Sequence, residues 1–264
     1  MLDNVRPTFW SDPVALQNAG QQGKKAEYDL VVIGGGTAGM VTAAAASIYG
    51  AKTCMIERHM IGGDCLVTGC VPSKALLKSA QVAKQLKSST KFGIELEAPP
   101  QINFGKVMDR VRKLRADVSK HDAAEKFSNT YGFDLAMGQA EFTSPKSIAV
   151  NGVELSFVRA CIASGGRPKI PSDIIGLDQV KYYTSDTIFN LTELPKRMVI
   201  LGGGAIGCEL GQAFSLLGSE VTIVHKHAKL LPTEDDFASE ILMTELRADG
   251  VTLELNSSVT EVKQ

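Results

Sequence analysis

Residues 29–39 read DLVVIGGGTAG, a short apolar strand that runs into three glycines and then into an alanine-rich segment. Gly34, Gly36 and Gly39 take the three glycine positions of a G-x-G-x-x-G motif between a strand and a helix. In that motif the glycines permit a tight turn, close approach of a diphosphate and close helix packing. The N–H groups at the start of the helix favour an anion. The stretch therefore predicts a βαβ unit that binds a dinucleotide.

Glu57 completes this first pattern. It lies just after a second predicted strand at 52–56, a little over 20 residues beyond the first glycine. A carboxylate at this place accepts hydrogen bonds from the ribose hydroxyls of an adenosine. Strand, glycines, helix and acid together make the prediction far more specific than the glycines alone.

A second copy of the pattern begins at residue 198, where the chain reads MVILGGGAIG with Gly202, Gly204 and Gly207. A helix to about Leu217 and a strand at 220–224 are predicted to follow. The position that corresponds to the acid is now His225, followed by Lys226. Two potential cations favour a 2′-phosphate and hence NADPH, with NADH possible.

An alternative interpretation of this segment remains open. Lys226, His227 and Lys229 are also typical of a solvated strand end, and the glycine motif itself is equally common in NAD sites.

Between the two glycine motifs, residues 62–74 read GGDCLVTGCVPSK. The two cysteines could be buried apolar residues, metal ligands or a redox pair, but no further ligand residues lie nearby. On an ideal helix their Cα atoms would be about 8.7 Å apart, whereas a disulfide needs less than about 7 Å. Cys65 must therefore precede the helix or the helix start must be distorted, and Gly69 and Pro72 supply the means.

Composition limits the classes of partner. The chain has 264 residues, a formal charge of −1 and 44% hydrophobic residues. This balance provides no long-range attraction for nucleic acid or anionic membranes, so we expect neither. The uncharged stretch 30–51 is long enough for a membrane span, but its glycines cluster at one end, as a strand, turn and helix require. Five cysteines without a signal peptide favour a reducing, cytoplasmic setting.

The remaining segments predict an α/β organisation. Residues 1–27, with a lone Trp10, indicate an irregular N-terminal arm. Helices are expected at about 70–87 and 104–127, the second with a solvated basic face. Short strands at 134–163, with a hairpin at Asn151-Gly152, suggest a small β-sheet insertion.

These residues resemble the class I pyridine nucleotide-disulfide oxidoreductases, which include mercuric reductase, dihydrolipoamide dehydrogenase and glutathione reductase. The resemblance runs from Tyr28 to the C-terminus and rests on both glycine motifs, on the cysteine segment and on IASGGRP at 162–168. It implies two Rossmann-like domains, the second inserted into the first and incomplete here. We expect an FAD domain at 28–193 with the cysteine pair, and an NAD(P) domain at 194–264.

The resemblance also implies roles for individual residues. Hydride passes to the flavin and electrons to Cys70, while Cys65 exchanges with substrate. Lys74 and Glu209 are expected to approach one another near the flavin, where the cation would help to stabilise a reduced ring. The implied flavin contacts are Gly63, Asp64, Lys74, Ala140, Ser164 and Gly165.

Three segments resemble the mercuric reductase-like group more than the lipoamide enzymes, namely NVRP at 4–7, ERH at 57–59 and GGDC at 62–65. A thiol pair suits either a small disulfide or a soft metal ion as substrate. The headpiece cysteines and C-terminal cysteine pair of mercury enzymes are missing, so a lipoamide dehydrogenase-like activity stays an alternative. Ala205 stands where glutathione reductases carry a tyrosine, which weighs against that activity.

The family pattern continues beyond the last residue of this sequence. It supplies an interface domain for a homodimer and a histidine-glutamate pair near the thiols, so this chain alone is expected to be a poor catalyst. Two further hypotheses remain, a non-catalytic nucleotide-binding fragment and a nicotinamide dehydrogenase without flavin.

Overall fold

The computed structural model describes residues 13–263, except for the side chain of Val14. Contacts divide the chain into two compact units. The first combines the residues up to Val71 with Lys113–Arg167, and the second combines Pro72–Arg112 with the residues from Pro168 onward. The domain boundaries expected from the sequence, at 27/28 and 193/194, stay predictions.

The helices of the described residues are α1 (Val14–Gln22), α2 (Thr37–Ile48), α3 (Gly63–Val67), α4 (Cys70–Lys87), α5 (Phe104–Ser119), α6 (Ala124–Tyr131), α7 (Ala205–Leu217) and α8 (Asp236–Ala248). The strands are β1 (Ala26–Ile33), β2 (Thr53–Glu57), β3 (Asp134–Met137), β4 (Glu141–Ser144), β5 (Ser147–Val150), β6 (Val153–Ile162), β7 (Arg197–Leu201), β8 (Glu220–Val224) and β9 (Val251–Glu254). This mixture confirms the predicted α/β class.

The first unit is built on a six-stranded sheet of order β3-β2-β1-β6-β5-β4. β3, β2, β1 and β6 pair in parallel, and β5 and β4 continue the sheet in antiparallel fashion. Because successive side chains of a strand point to opposite faces, Val31 enters one hydrophobic core and Val32 enters the other. Both are completely buried. The sheet therefore holds a core on each face, as a doubly covered parallel sheet requires.

The strands at 134–163 do not form a separate insertion, contrary to the prediction. β6 pairs with β1 from Ala26↔Leu155 to Ile33↔Ile162, so the hairpin extends the main sheet. The predicted turn is confirmed, since Asn151 and Gly152 both have positive φ, at 51° and 77°. Such a pair of left-handed residues is typical of a two-residue type I′ hairpin.

Two helix predictions were also wrong. The expected helix at 104–127 is interrupted at 120–123, where the Ser119 hydroxyl donates to the Ala116 carbonyl and replaces a regular helical bond. The irregular arm instead contains α1, of which Leu16 is completely buried in the core. Pro7 and Trp10 of the predicted arm lie outside the residues that the structure describes, so the predictions for them are not tested.

The second unit contains a three-stranded parallel sheet of order β7-β8-β9. α7 connects the first two strands and α8 connects the last two. Phe214 of α7, Ile223 of β8 and Leu246 of α8 are completely buried. The second glycine motif thus lies at the start of a βαβαβ unit.

Because Leu16 anchors α1 in the core, Leu16→Ala should lower the free energy of unfolding by about 2–5 kcal/mol. Urea denaturation measures the change. Asn18→Ala is the matched control, since Asn18 is exposed on the same helix, and it should change stability by less than about 0.5 kcal/mol. Equal stability of Leu16→Ala and the parent chain would show that α1 does not contribute to the folded core.

Candidate functional site

The first glycine loop joins β1 to α2 in the first unit. Gly34 has a φ of 108°, which favours glycine. A β-carbon at Gly34 would collide with the Ala163 carbonyl, and one at Gly39 would collide with the Gly34 carbonyl. The helix N-cap is Gly36, so no side chain caps the first N–H groups of α2. These groups are available to a diphosphate, as the sequence predicted.

Glu57 is the last residue of β2, lies beside this loop and is buried, with 9% of its surface exposed. Its Oε2 accepts from the backbone N–H of Gly35 at 2.6 Å, and its Oε1 accepts from that of His59 at 2.6 Å. Each carboxylate oxygen keeps a further lone pair that can accept from a ribose hydroxyl. The ribose role of Glu57 stays a prediction, and the sequence did not indicate that Glu57 also fixes the loop.

A cavity of about 380 Å³ opens beside Gly34 and Glu57. Ala140, Ser164 and Gly165 line it, where the family resemblance implies flavin contacts. Asp64 does not belong to the lining residues and is exposed in the first turn of α3. The other lining residues are Ile33, Ile56, Arg58, Gly138, Gln139, Gly166 and Arg167.

Arg58 and Arg167 are the two positively charged lining residues, and the sequence analysis did not assign either of them to the site. Their guanidinium groups give the cavity a positive charge that suits the diphosphate of a dinucleotide. A usable signal was present for Arg58, because it directly follows Glu57, the acid of the first glycine motif. The cradle, its uncapped helix and its charge therefore fit a dinucleotide such as FAD.

The cysteine segment is attached directly to the glycine loop. The Gly62 N–H donates to the Gly35 carbonyl at 2.8 Å. A β-carbon at Gly63 would lie 2.7 Å from the Gly36 Cα, so only glycine allows α3 this close to the loop. The segment that carries Cys65 and Cys70 is therefore packed directly against the first glycine loop.

Cys65 and Cys70 lie on different helices, as the geometric argument required. Cys65 is on α3, the chain turns at Thr68 and Gly69, and Cys70 begins α4. A β-carbon at Gly69 would lie 2.8 Å from the Asp64 carbonyl oxygen, which explains the glycine. Both cysteines are thiols in this structure, Cys65 half-buried and Cys70 exposed.

The two thiols interact. A hydrogen bond with the Cys70 side chain raises the pKa of Cys65, and partial burial adds to this effect. The Thr37 hydroxyl and the Cys70 backbone N–H act in the opposite direction, because they donate to the Cys65 sulphur. Thr37 is the first residue of α2, so the helix that offers N–H groups to a diphosphate also contacts the cysteine pair.

Lys74 and Glu209, both within the second unit, form an ion pair at 2.5 Å between Lys74 Nζ and Glu209 Oε1. Lys74 lies one helical turn after Cys70 on α4, and Glu209 lies in the second turn of α7. The structure therefore brings together the two residues that the family resemblance expected to approach one another, while their place near a flavin stays a prediction. Because the pair is substantially exposed, it adds little to stability.

The second glycine loop, between β7 and α7, repeats the geometry of the first. Gly202 has a φ of 109°, and a β-carbon at Gly207 would collide with the Gly202 carbonyl. Gly204 is the N-cap of α7, again without a side-chain cap. This loop is therefore also suited to a diphosphate.

The structure differs from the expectation of two cations beside this loop. His225 is buried, and its Nδ1 accepts from the Gly203 N–H at 3.0 Å, which requires a neutral imidazole. Burial lowers the pKa of His225, and the neighbouring His227 and Lys226 lower it further. Lys226 itself is exposed and remains available to an anion.

No group of three or more His, Cys, Asp or Glu side chains in residues 13–263 is placed to hold a metal ion. Over the same residues, no helix combines the length and apolar character of a membrane span.

The sequence model of the pyridine nucleotide-disulphide oxidoreductase family matches residues 28–264 of this chain. A mercuric reductase of Lysinibacillus sphaericus is 36% identical over 90% of this chain and 43% of that protein. A dihydrolipoyl dehydrogenase of Acholeplasma laidlawii is 33% identical over 89% of this chain and 70% of that protein. The solved structure of the HOCl-induced flavoprotein disulfide reductase RclA from Escherichia coli matches with a TM-score of 0.74 and 30% identity, over 89% of this chain and 50% of that one.

This chain spans less than half of the mercuric reductase and half of the RclA chain. The matches confirm the resemblance inferred from the two glycine motifs and the cysteine segment, and they confirm the Rossmann-like fold. The chain belongs to the pyridine nucleotide-disulphide oxidoreductase family.

Proposed function

We propose that the chain is the FAD- and thiol-containing part of an oxidoreductase that carries electrons from NADPH to Cys65 and Cys70. From there the electrons pass to a small disulfide or a soft metal ion. FAD, when bound at the first glycine loop, supplies the two-electron relay between nicotinamide and disulfide. The whole enzyme is proposed to be a homodimer and to work in the cytoplasm.

The observation that carries this proposal is the junction of the first glycine loop with the cysteine segment. A hydrogen bond from Gly62 to Gly35 and the close approach of Gly63 to Gly36 join the two. Cys65 also contacts Thr37 at the start of α2. A dinucleotide site and a thiol pair that are built into one another support electron transfer between them.

Cys65 and Cys70 are proposed to cycle between a disulfide and two thiols. Two electrons and two protons convert the Cys65–Cys70 disulfide into two thiols. In the reduced form the Cys65 thiol donates to Cys70, which holds a proton at Cys65 until a substrate arrives. The Cys65 sulphur, after losing this proton, attacks a substrate disulfide and releases one thiol, and Cys70 then displaces the second and restores the bridge.

The electron acceptor is proposed as a class. A relative named mercuric reductase, at 36% identity, supports a soft metal ion, and a solved structure named flavoprotein disulfide reductase, at 30% identity, supports a disulfide. Reduced thiols serve both substrates, because they bind soft metals and also attack sulphur. The segment at 57–65 supports the mercuric reductase-like branch.

NADPH is proposed as the electron donor because Lys226 is an exposed cation just beyond β8. In the first glycine motif the residue at the end of the second strand is the acid Glu57, which suits an unmodified ribose. At the second motif the buried acceptor is the uncharged His225, which does not repel a phosphate. NADH remains the alternative donor.

The test of the overall proposal is a visible spectrum of the purified chain reconstituted with FAD. Limited anaerobic reduction should produce a long-wavelength charge-transfer band between oxidised flavin and the Cys70 thiolate. Cys70→Ser should abolish this band, whereas Cys161→Ser, a change in a cysteine outside the pair, should retain it. Bound FAD without any such band in the parent protein would refute the redox proposal.

The interaction of the thiols gives a second prediction. In Cys70→Ala the largest cause of the raised Cys65 pKa is absent, so more Cys65 is thiolate at neutral pH. Alkylation of Cys65 by iodoacetamide in the reduced protein should become about fivefold faster, as expected for one lost hydrogen bond. Mass spectrometry of the Cys65 peptide measures the rate. Cys161→Ala should leave that rate unchanged, and an unchanged or slower rate in Cys70→Ala would contradict the assignment.

Cofactor preference is tested by Lys226→Glu. The parent chain should bind NADP⁺ more tightly than NAD⁺, and the substitution should reduce this ratio about tenfold, because it replaces a favourable phosphate contact with repulsion. Calorimetric titration measures both affinities. Lys196→Glu makes the same charge change at the amino end of β7 and should preserve the ratio. Equal binding of the two nucleotides by the parent chain would refute NADPH preference.

A further inference from the structure

Each glycine loop is fixed by a side chain at the end of the next strand. In the first loop, the Gly35 N–H donates to Glu57 Oε2 at 2.6 Å. In the second loop, the Gly203 N–H donates to His225 Nδ1 at 3.0 Å. The middle glycine of both loops therefore depends on one side-chain acceptor, and only the chemical nature of that acceptor differs.

Packing and backbone contacts show that the two arrangements are equivalent. A β-carbon at Gly35 would lie 3.1 Å from Glu57 Cβ, and one at Gly203 would lie 3.0 Å from His225 Cγ. The first glycine of each loop also donates to the end of the neighbouring strand, at 2.8 Å for Gly34 and 2.9 Å for Gly202. His225 therefore occupies the structural place of the carboxylate.

An imidazole differs from a carboxylate in one decisive respect. A carboxylate accepts hydrogen bonds throughout the physiological pH range, whereas Nδ1 of histidine accepts only while it carries no proton. The acceptor geometry at Gly203 places the proton of the neutral ring on Nε2. This Nε2 is buried and has no hydrogen-bond partner of ordinary geometry among the described residues.

We propose that neutral His225 is a positioning residue for the second nucleotide site, and that protonation of its Nδ1 releases the glycine loop and weakens nucleotide binding. This inference rests on the proposed nucleotide function of the second loop. It differs from recognition of a 2′-phosphate by a cationic histidine, because the neutral ring is the active form. It also assigns proton sensitivity to the second site alone.

The surroundings of His225 are consistent with a neutral ring. Lys226 and His227 follow it on the same segment, with the two imidazole centroids 5.2 Å apart. Burial and these neighbours lower the pKa of His225, and the nearby Lys229 carbonyl opposes the shift. On β9, Glu254 accepts the His225 backbone N–H through its carbonyl, and its exposed carboxylate is the negative group on that strand.

The sign of the pH effect follows from these contacts. Because the pKa of His225 is lowered in the folded protein, the ring is neutral and the loop is held at neutral pH. The contact is lost as pH falls below the ordinary imidazole value of about 6.5 and through the lowered pKa. The first loop has no imidazole acceptor, since Gly35 donates to Glu57, so this effect of His225 belongs to the second loop.

Nitrogen-15 NMR of the uniformly labelled full 264-residue chain tests the contact without any nucleotide. At neutral pH, His225 should show an unprotonated Nδ1 and a protonated Nε2, and the Gly203 amide resonance should titrate together with His225. The Gly35 amide should not follow that titration. A charged ring at neutral pH, an Nδ1-protonated tautomer or a Gly203 amide that ignores the titration would overturn the proposal.

Binding experiments test the functional half with NAD⁺, which lacks the titrating 2′-phosphate. Affinity of the parent chain should fall about fivefold as pH is lowered from neutral through the His225 titration that NMR defines, as expected for one lost hydrogen bond. His225→Asn, whose amide oxygen can replace Nδ1, should bind with little pH dependence. His225→Leu should bind weakly at every pH.

The outcomes separate this inference from the proposed function. Tighter binding of NAD⁺ at low pH, or the same pH dependence in His225→Asn as in the parent, would overturn the positioning role. Loss of the NADP⁺ preference in Lys226→Glu concerns the proposed cofactor and leaves the role of His225 intact. If the chain binds neither nucleotide, the proposed function of the second loop fails and the nucleotide part of this inference fails with it, while the NMR result still decides the His225–Gly203 contact.

Discussion

The hydrogen bond from the Gly35 N–H to Glu57 is the interaction on which the first site depends. A loop without side chains approaches a diphosphate closely, but it also has no side chains to hold its own backbone in place. Its buried N–H must be paired with an acceptor. Glu57, the last residue of β2, accepts this hydrogen bond. It thereby fixes the loop between β1 and α2 and the direction of the uncapped helix.

The position of the thiol pair follows from the position of this loop. The carbonyl of Gly35 accepts from Gly62, and the absence of a side chain at Gly63 allows α3 to begin against Gly36. α3 then ends after five residues, so that Cys70 starts a new helix within reach of Cys65. One continuous set of backbone contacts therefore links the first glycine loop to the cysteine pair.

The sequence predicted the parts of the molecule that depend on local rules. The glycine loops require positive φ and close packing, and the five-residue cysteine spacing required a break in the helix, so both could be inferred before the structure was known. The helix at 14–22 could not, because nine residues are too few for a helix that is stable by itself, and its stability comes from burying Leu16 in a core built from distant strands. His225 was misjudged because burial, which the sequence does not reveal, converts a potential cation into a hydrogen-bond acceptor.

The central claim is that flavin and cysteine pair form one redox unit within this chain. Its most direct test is an anaerobic reductive titration of the FAD-loaded protein with the disulfide oxidised. The account predicts uptake of two electrons by the flavin and two more by the Cys65–Cys70 couple, and only the flavin electrons in Cys65→Ser. A parent protein that accepts no more electrons than its flavin alone would contradict the account.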